Sequence, residues 1–368
     1  AFGVKYDGGI PVCLTGNGAL ETENLLSHSN GEYDYTNKIV YFKDRFQLKF
    51  IYNNTSDKPN PIATAEQFLM MQNDKNYRLV NDIVFNEPFK PMDIDLAGLD
   101  GNGFKIYLNA GFDVSELVSE SALNVGLFQT VYDGMILKNL NVYLSLNKDN
   151  YIVDLTNIYA ETEGGENTLI DASTINFGVV AGQNNGIIYN CQVHNCENAQ
   201  STNKLVKVKV NLLTSAENQI EAFIGGIAGQ NNGSLTHSQS YIKLSANKGY
   251  LGGLVGQNNG AIASCFYKAD SDGNVLENES TTEVGTKTGA LVAINNTDAT
   301  IKYSYAEGKT LETNGYRYNT GKVYTSANSS GFVCYNKGLI QDCYSNIPVE
   351  SLKRSSGFVF ENEGTIKN

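Results

Sequence analysis

The sequence has no Trp, only six Pro and only three His in 368 residues. Scarce Pro beside a steady 41 % apolar content argues against disorder. The three His, at 28, 194 and 237, leave little material for a serine triad, and none stands in a nucleophile context. Positive charge is also in deficit: 27 Lys and Arg face 39 Asp and Glu, for a net charge of −12 and a pI near 4.8. Such a surface repels phosphates at long range, which argues against nucleic acid as a partner. No stretch approaches the roughly 20 apolar residues of a membrane span. The chain opens AFGVKYDGG, without an initiator Met or a charged-then-apolar signal, and so reads as processed or excised.

What is abundant is one returning phrase: FGVVAGQNNGII (177–188), IGGIAGQNNGSL (224–235), LGGLVGQNNGAI (251–262), then TGALVAINNTDATI, SGFVCYNKGLI and SGFVFENEGTI. Aligned on the second small residue, Val179, Gly226, Gly253, Ala290, Gly331 and Gly357 share a column, with spacings of 47, 27, 37, 41 and 26. An earlier copy, VGLFQTVYDGMILKNLNVYLSL (125–146), carries one extra residue before Gly134. Self-similarity at this period means that each unit buries its apolar face only by stacking on its neighbours. The excess length falls between phrases, near 197–221, 270–286 and 307–327, and reads as loops on one face.

Within each phrase a small apolar run, a QNN tripeptide, Gly and then alternation read as strand, tight turn, strand. The recurring Gly and Asn destroy any 3.6-residue apolar period, which excludes helix. QNNG is expected to make the turn through left-handed dihedrals, which Asn tolerates and Gly adopts freely. The fold expected is all-β, a parallel β-helix, in which equivalent residues stack about 4.8 Å apart. Three columns follow from the alignment. Ile188, Leu235, Ile262, Ile301, Ile340 and Ile366 form an apolar ladder; Cys191, Ser238, Cys265, Ser304 and Cys343 form a small-residue ladder three positions on; Asn184, Asn231, Asn258 and Asn295 form an amide ladder.

These phrases, G-G-I-A-G and G-G-L-V-G followed by Q-N-N-G, resemble the GLUG repeats of large bacterial surface and secreted proteins. The upstream stretches IATAEQFLMMQNDKNYRLVNDIVF (62–85) and LAGLDGNGFKIYL (96–108) are similar to the lead-in of such arrays, so the resemblance covers about 62–368. It implies an extracellular, right-handed β-helix and supplies no catalytic residues. From residue 289 the copies depart from the pattern, with Ala293, Cys334 and Phe360 at the Gly position, and a change of coil cross-section is expected there.

Thr64 followed by Gln67 has capping-box spacing, so a short helix near 64–73 is expected to cap the first coil, with Phe68, Leu69 and Met71 on one side. The domain reading is residues 1–60 as a strand-rich leading segment, packed on the helix end, and 61–368 as the β-helix. The final phrase stops halfway through a coil, so the rod is expected to continue beyond Asn368 or to pair end to end with another subunit.

Candidate chemistry is sparse. Cys191, His194 and Cys196 in CQVHNC are ligand types, with His237 one coil on, but a zinc site needs three or four ligands and Cys191 already belongs to a ladder. The six Cys, at 13, 191, 196, 265, 334 and 343, are expected to be mostly buried and free, because ladder thiols lie about two rises apart. Asp93, Asp95 and Asp100 cluster without calcium-ligand spacing; no carboxylate column recurs, and Asp171, Asp270 and Asp298 fall in or near inserts. The glycine-rich phrase opens a strand rather than a helix, which excludes a phosphate loop. Surface Tyr, concentrated at 303, 305, 316, 318, 324, 335 and 344, are read first as strand formers and second as sugar-stacking or partner-anchoring groups.

The expectation is therefore a non-catalytic structural or adhesive segment of an exported cell-surface protein, without a cofactor, whose loops contact protein or glycan. A polysaccharide-active, tailspike-like enzyme and an accessory stalk of a larger secreted protease are the alternatives.

Overall fold

The computed structural model describes residues 59–114, 117, 122–144, 174–195, 221–246, 249–269, 287–313, 316–319, 321–325 and 328–368, together with isolated strands in the intervening and leading segments. The chain divides into two compact units, Ala1–Lys58 and Pro59–Asn368. In the first, strands Phe2–Tyr6, Val12–Leu14, Glu32–Asp34 and Ile39–Phe42 form one mixed sheet. The expected strand in FQLKFIYNN lies outside the described residues.

The second unit is a parallel β-helix whose full coils, from Ala122 to Ser351, have five sides, each contributing one strand to a parallel sheet; the strands before Ala122 join two of these sheets and those after Ser351 join three. In the coil of the second QNNG phrase the opening strand is Glu221–Gly225, followed by Ala228–Asn231, Ser234–Thr236, Gln239–Ser240 and Lys243–Ala246. The corresponding sheets are called here opening, amide, aliphatic, ring and closing. They hold seven, seven, ten, eight and six strands. One apolar core runs through the stack from Ile62 to Ile347.

The closing sheet corrects the reading of the inter-phrase segments. Leu205–Lys209, Gly273–Asn278 and Gly321–Thr325 fall inside the intervals read as inserts, yet they are strands of one ladder: the first two pair with Lys243–Ala246, and Gly321–Thr325 pairs with Gly273–Asn278 through a bulge at Asn274/Leu276. The intervals therefore carry a wall of the coil, and the excess length lies on either side of it. The antiparallel hairpin of Thr310–Thr313 with Tyr316–Asn319 occupies one of those places, and a second, Tyr159–Glu161 with Asn167–Leu169, lies in the preceding coil, between Val153–Asp154 and Thr174–Gly178.

The QNN tripeptide is three ladders side by side. Asn184 donates to Asn231 at 2.7 Å, Asn231 to Asn258 at 2.8 Å, Asn258 to Asn295 at 2.8 Å, Asn295 to Asn336 at 2.7 Å and Asn336 to Asn362 at 2.7 Å. The preceding Gln repeats this from Gln183 to Gln230 to Gln257, at 3.0 and 2.5 Å. The following Asn runs the other way: Asn232 donates to Asn185, Asn259 to Asn232 and Asn296 to Asn259, at 2.6–2.8 Å. An amide carries both donors and acceptors, so one residue type can bridge to the coil above and the coil below.

The corner after QNN does not use left-handed backbone, contrary to the sequence reading. Gly186, Gly233 and Gly260 have ordinary φ; a Cβ at Gly233 would lie 2.2 Å from the Gly186 carbonyl oxygen, and one at Gly260 2.2 Å from that of Gly233. Glycine is required because successive coils touch there. Left-handed φ falls instead one corner later, on Asn139, Asn190, His237, Ser264, Tyr303 and Asp342, between the aliphatic and ring sheets.

The capping helix spans only Ala65–Leu69, with Thr64 Oγ1 accepting from Gln67 N at 3.2 Å and Gln67 Oε1 accepting from Ala63 N at 2.8 Å. Phe68 and Met71 are buried, but Leu69 is 44 % exposed and is not part of that side. Phe68 closes the core end against Phe85 and Phe128, at centroid distances of 5.6 and 6.0 Å. At the other end, the expected change of cross-section is a change of lining: amide and aliphatic ladders keep register through Asn362 and Ile366. The opening-sheet column Phe177, Ile224, Leu251 passes into Thr288 and Ser329, and the buried Ser329 and Ser330 hydroxyls have no partner.

Asn258→Asp tests the central ladder. Aspartate cannot donate to Asn295, and burial raises its folded-state pKa above the unfolded value of about 3.9. The penalty is therefore absent below that value and grows as pH rises, to about 3 kcal/mol at pH 7. Denaturant unfolding between pH 3 and 7 should show the variant approaching wild type only at the acid end; equal stability at pH 7 would refute the ladder's role.

Candidate functional site

The aliphatic column fixes where every neighbouring side chain points. Leu99, Leu137, Ile188, Leu235, Ile262, Ile301, Ile340 and Ile366 pair coil to coil; all are buried except Ile366, which is 43 % exposed. Two residues after each of the six from Leu137 to Ile340 comes the left-handed corner. From Ile188 on, the third position is the Cys/Ser column.

That column has a defined hydrogen-bonding task. Each side chain donates to the carbonyl two residues back, as Cys191 Sγ does to Tyr189 at 3.4 Å, Ser238 Oγ to Thr236 at 3.0 Å and Ser304 Oγ to Lys302 at 2.7 Å. Several also accept from the preceding coil: Cys191 N donates to Ser238 Oγ at 3.1 Å, Ser238 N to Cys265 Sγ at 3.4 Å and Cys265 N to Ser304 Oγ at 3.1 Å. Serine and cysteine are interchangeable because each is a small donor and acceptor. Cys191, Cys265, Cys334 and Cys343 are free; Cys196 and the side chain of Cys13 lie outside the described residues. Burial pushes the Cys191, Cys265 and Cys334 thiols up to about 12, far from a reactive thiolate.

The metal candidates separate. Cys191 faces the core, while His194, three residues on, faces outward and stacks between Tyr143 at 4.8 Å and Tyr241 at 4.5 Å. Its Nε2 lies 3.1 Å from Gln192 Oε1. His237 holds a left-handed corner beside Tyr189. Among the described residues no group of three or more His, Cys, Asp or Glu could hold a metal ion.

The carboxylates are equally dispersed. Asp100 lies 3.7 Å from the Arg78 guanidinium and 3.6 Å from Lys138 Nζ, and accepts from Asn102 N and Asn139 Nδ2. Asp93 accepts from the Tyr132 hydroxyl at 2.6 Å, a bond that pushes that phenol up to about 12. Asp298 sits at a left-handed turn; Asp171 and Asp270 lie outside the described residues.

The feature that sequence reasoning missed is a ridge of rings on the outer face of the ring sheet. Tyr107, Tyr143, His194 and Tyr241 stack in one column and Phe266, Tyr305 and Tyr344 in the adjacent one, with centroids 4.5–5.7 Å apart. Tyr241 and Phe266 meet at 90° where the ridge changes column. The signal was present in the spacing: Tyr143, His194 and Tyr241 follow their ladder residue by six positions, and Phe266, Tyr305 and Tyr344 by four. The Tyr enrichment suggested only a C-terminal cluster, of which Tyr305 and Tyr344 belong to the ridge. Tyr335 lies elsewhere, with Lys287 Nζ 3.7 Å and Lys337 Nζ 4.9 Å from its ring centroid.

Cys265→Ser tests the column. Serine already performs the same task at 238 and 304, so the variant should lose less than about 1 kcal/mol of stability. Because the folded thiol titrates near 12 and the unfolded one near 9, stability is full below pH 9 and falls by about 1.4 kcal/mol per pH unit per thiol above it. The alkaline loss, followed by urea unfolding from pH 8 to 11, should be shallower in Cys265→Ser; an unchanged slope would count against a buried thiol.

Comparison with known protein families, with curated proteins and with solved structures gives no match to this chain.

Proposed function

We propose that this chain is a non-catalytic, rigid β-helical segment of an exported cell-surface protein, holding binding surfaces at fixed positions along a rod. The observation that carries the reading is the use of its polar side chains. The amides of QNN and the hydroxyls and thiols of the Cys/Ser column are engaged along the axis with the same position of the next coil. Groups held in this way stiffen the stack and are withdrawn from substrate chemistry.

Surface location is supported by the resemblance of the repeated phrase to GLUG arrays and by the acidic composition. Protein and glycan at the cell surface are the partners that such a rod would meet. Asp93 and Asp100, the one hydrogen-bonded to a phenol and the other ion-paired to Arg78 and Lys138, favour this reading over a polysaccharide-cleaving enzyme.

Produced from its own gene in the cell that encodes it, the protein should be removed from intact cells by external protease. It should release no reducing ends from a panel of surface polysaccharides. Protection until lysis would overturn the location, and turnover lost in Asp93→Asn or Asp100→Asn would overturn the non-catalytic assignment.

A further inference from the structure

The ring ridge is long, narrow and nearly uncharged on a protein of net charge −12. Spanning seven coils, it extends about 30 Å at the spacing of parallel strands. Its rings within each column stand 4.5–5.6 Å apart, with planes 4–37° from parallel. Ring thickness is only about 3.5 Å, so rings spaced this widely and nearly parallel are offset, and each leaves part of a face uncovered. Tyr344 is 53 % exposed and the other rings are half-buried.

Four of the positions flanking the rings carry neutral amides: Asn141, Gln192 and Gln239 beside the first column and Asn346 beside the second. The Tyr241 hydroxyl donates to Gln239 Oε1 at 2.7 Å, which holds that amide against the ring edge. Among the described residues, formal charge along the ridge comes in opposite pairs: Lys105, 4.8 Å from the Tyr143 ring centroid, beside Asp82, whose carboxylate accepts from Lys105 N at 2.8 Å, and Lys268 with Glu307 at 3.0 Å. Burial pushes the Tyr305 phenol up to about 12 and raises those of Tyr241 and Tyr344, so these hydroxyls stay protonated and neutral.

We propose that this ridge binds a single extended chain of an uncharged polysaccharide, laid parallel to the coil axis. Apolar ring surface alternating with amide donors and acceptors is the chemistry that pyranose rings and their hydroxyls complement. The dimensions favour one polymer chain over a protein: two columns across and about 30 Å long give about 300 Å², against about 800 Å² per partner in a stable protein interface. The proposal rests on the reading of the chain as a non-catalytic rod and adds its ligand class. It places binding on a coil face, where the sequence had pointed to the loops.

The test is calorimetric titration of the intact chain with cellohexaose, xylohexaose and mannohexaose, with hexagalacturonate as the charged counterpart. At least one neutral hexamer should bind with a Kd of about 1 mM or tighter, and hexagalacturonate at least tenfold more weakly. Tyr143→Ala combined with Tyr305→Ala should weaken binding at least tenfold, while Tyr335→Ala, off the ridge, should leave it unchanged. Should the double variant fail to fold, saturation transfer from the bound hexamer to the aromatic protons of the intact chain reports the same contact. Absence of binding by all three neutral hexamers, preference for the uronate, transfer to rings off the ridge, or ridge-dependent dimerisation would each overturn the proposal. None of these outcomes bears on protease accessibility or lack of turnover, so the rod reading stands or falls separately.

Discussion

The coil rise is the constraint on which the rest depends. Parallel strands stack about 4.8 Å apart, and a primary amide of one coil reaches its equivalent on the next across that distance in a single hydrogen bond. The central Asn ladder does this five times in succession with donor–acceptor distances of 2.7–2.8 Å. Buried amides are costly when unpaired, so each rung that keeps register reinforces the next, and a slip of one residue would orphan the whole column. Asn184 Oδ1, at the first rung and opposite Val131, is buried without a partner, which shows what the interior rungs avoid.

The same rise sets the rest of the cross-section. At the QNNG corner the coils approach so closely that a Cβ at Gly233 or Gly260 would overlap backbone, and this fixes glycine there at ordinary φ. At the next corner the backbone turns through a left-handed residue, after which the Cys/Ser column ties adjoining coils through N–H donors. Beyond it, side chains alternate in and out of the ring sheet. Val142, Val193 and Ser240 enter the interior, and the aromatic and amide positions line the outside.

Much of this was legible because stacking makes position in the coil equivalent to position in the alignment. Ile188, Leu235, Ile262, Ile301 and Ile340 occupy one paired column, as do Asn184, Asn231 and Asn258, and the repeats alone had aligned them. The closing wall was not legible. Leu205–Lys209, Lys243–Ala246 and Gly273–Asn278 share no phrase, and the segments flanking them differ in length, so their equivalence exists only in the ladder. The ridge was hidden for a different reason: its rings change from one outer column to the other between Tyr241 and Phe266, which breaks a fixed-offset pattern although the physical stack is continuous. Cys191 and His194 looked like joint ligands because sequence proximity ignores the strand's alternation; their opposite faces follow once Gln192–Asn195 is a strand.

The left-handed corner shows how such a fold can leave side chains open to other uses. In the early coils the corner side chains bridge coils, Asn190 donating to Asn139, both at positive φ, and Asn139 to Asp100 at the end of the strand below. Later coils place His237, Ser264 and Tyr303 at the same backbone angle, with φ of 52–55°. A bulky residue there costs about 1–2 kcal/mol relative to ordinary backbone. The cost is borne because strands on both sides of the corner are held by the coil below, which dictates the backbone whatever the side chain. Tyr303, 59 % exposed, contributes nothing to the core at its own position. Ladders shared between coils thus fix the backbone, and the outward side chains at its corners and on its ring face are left to be chosen for what they contact.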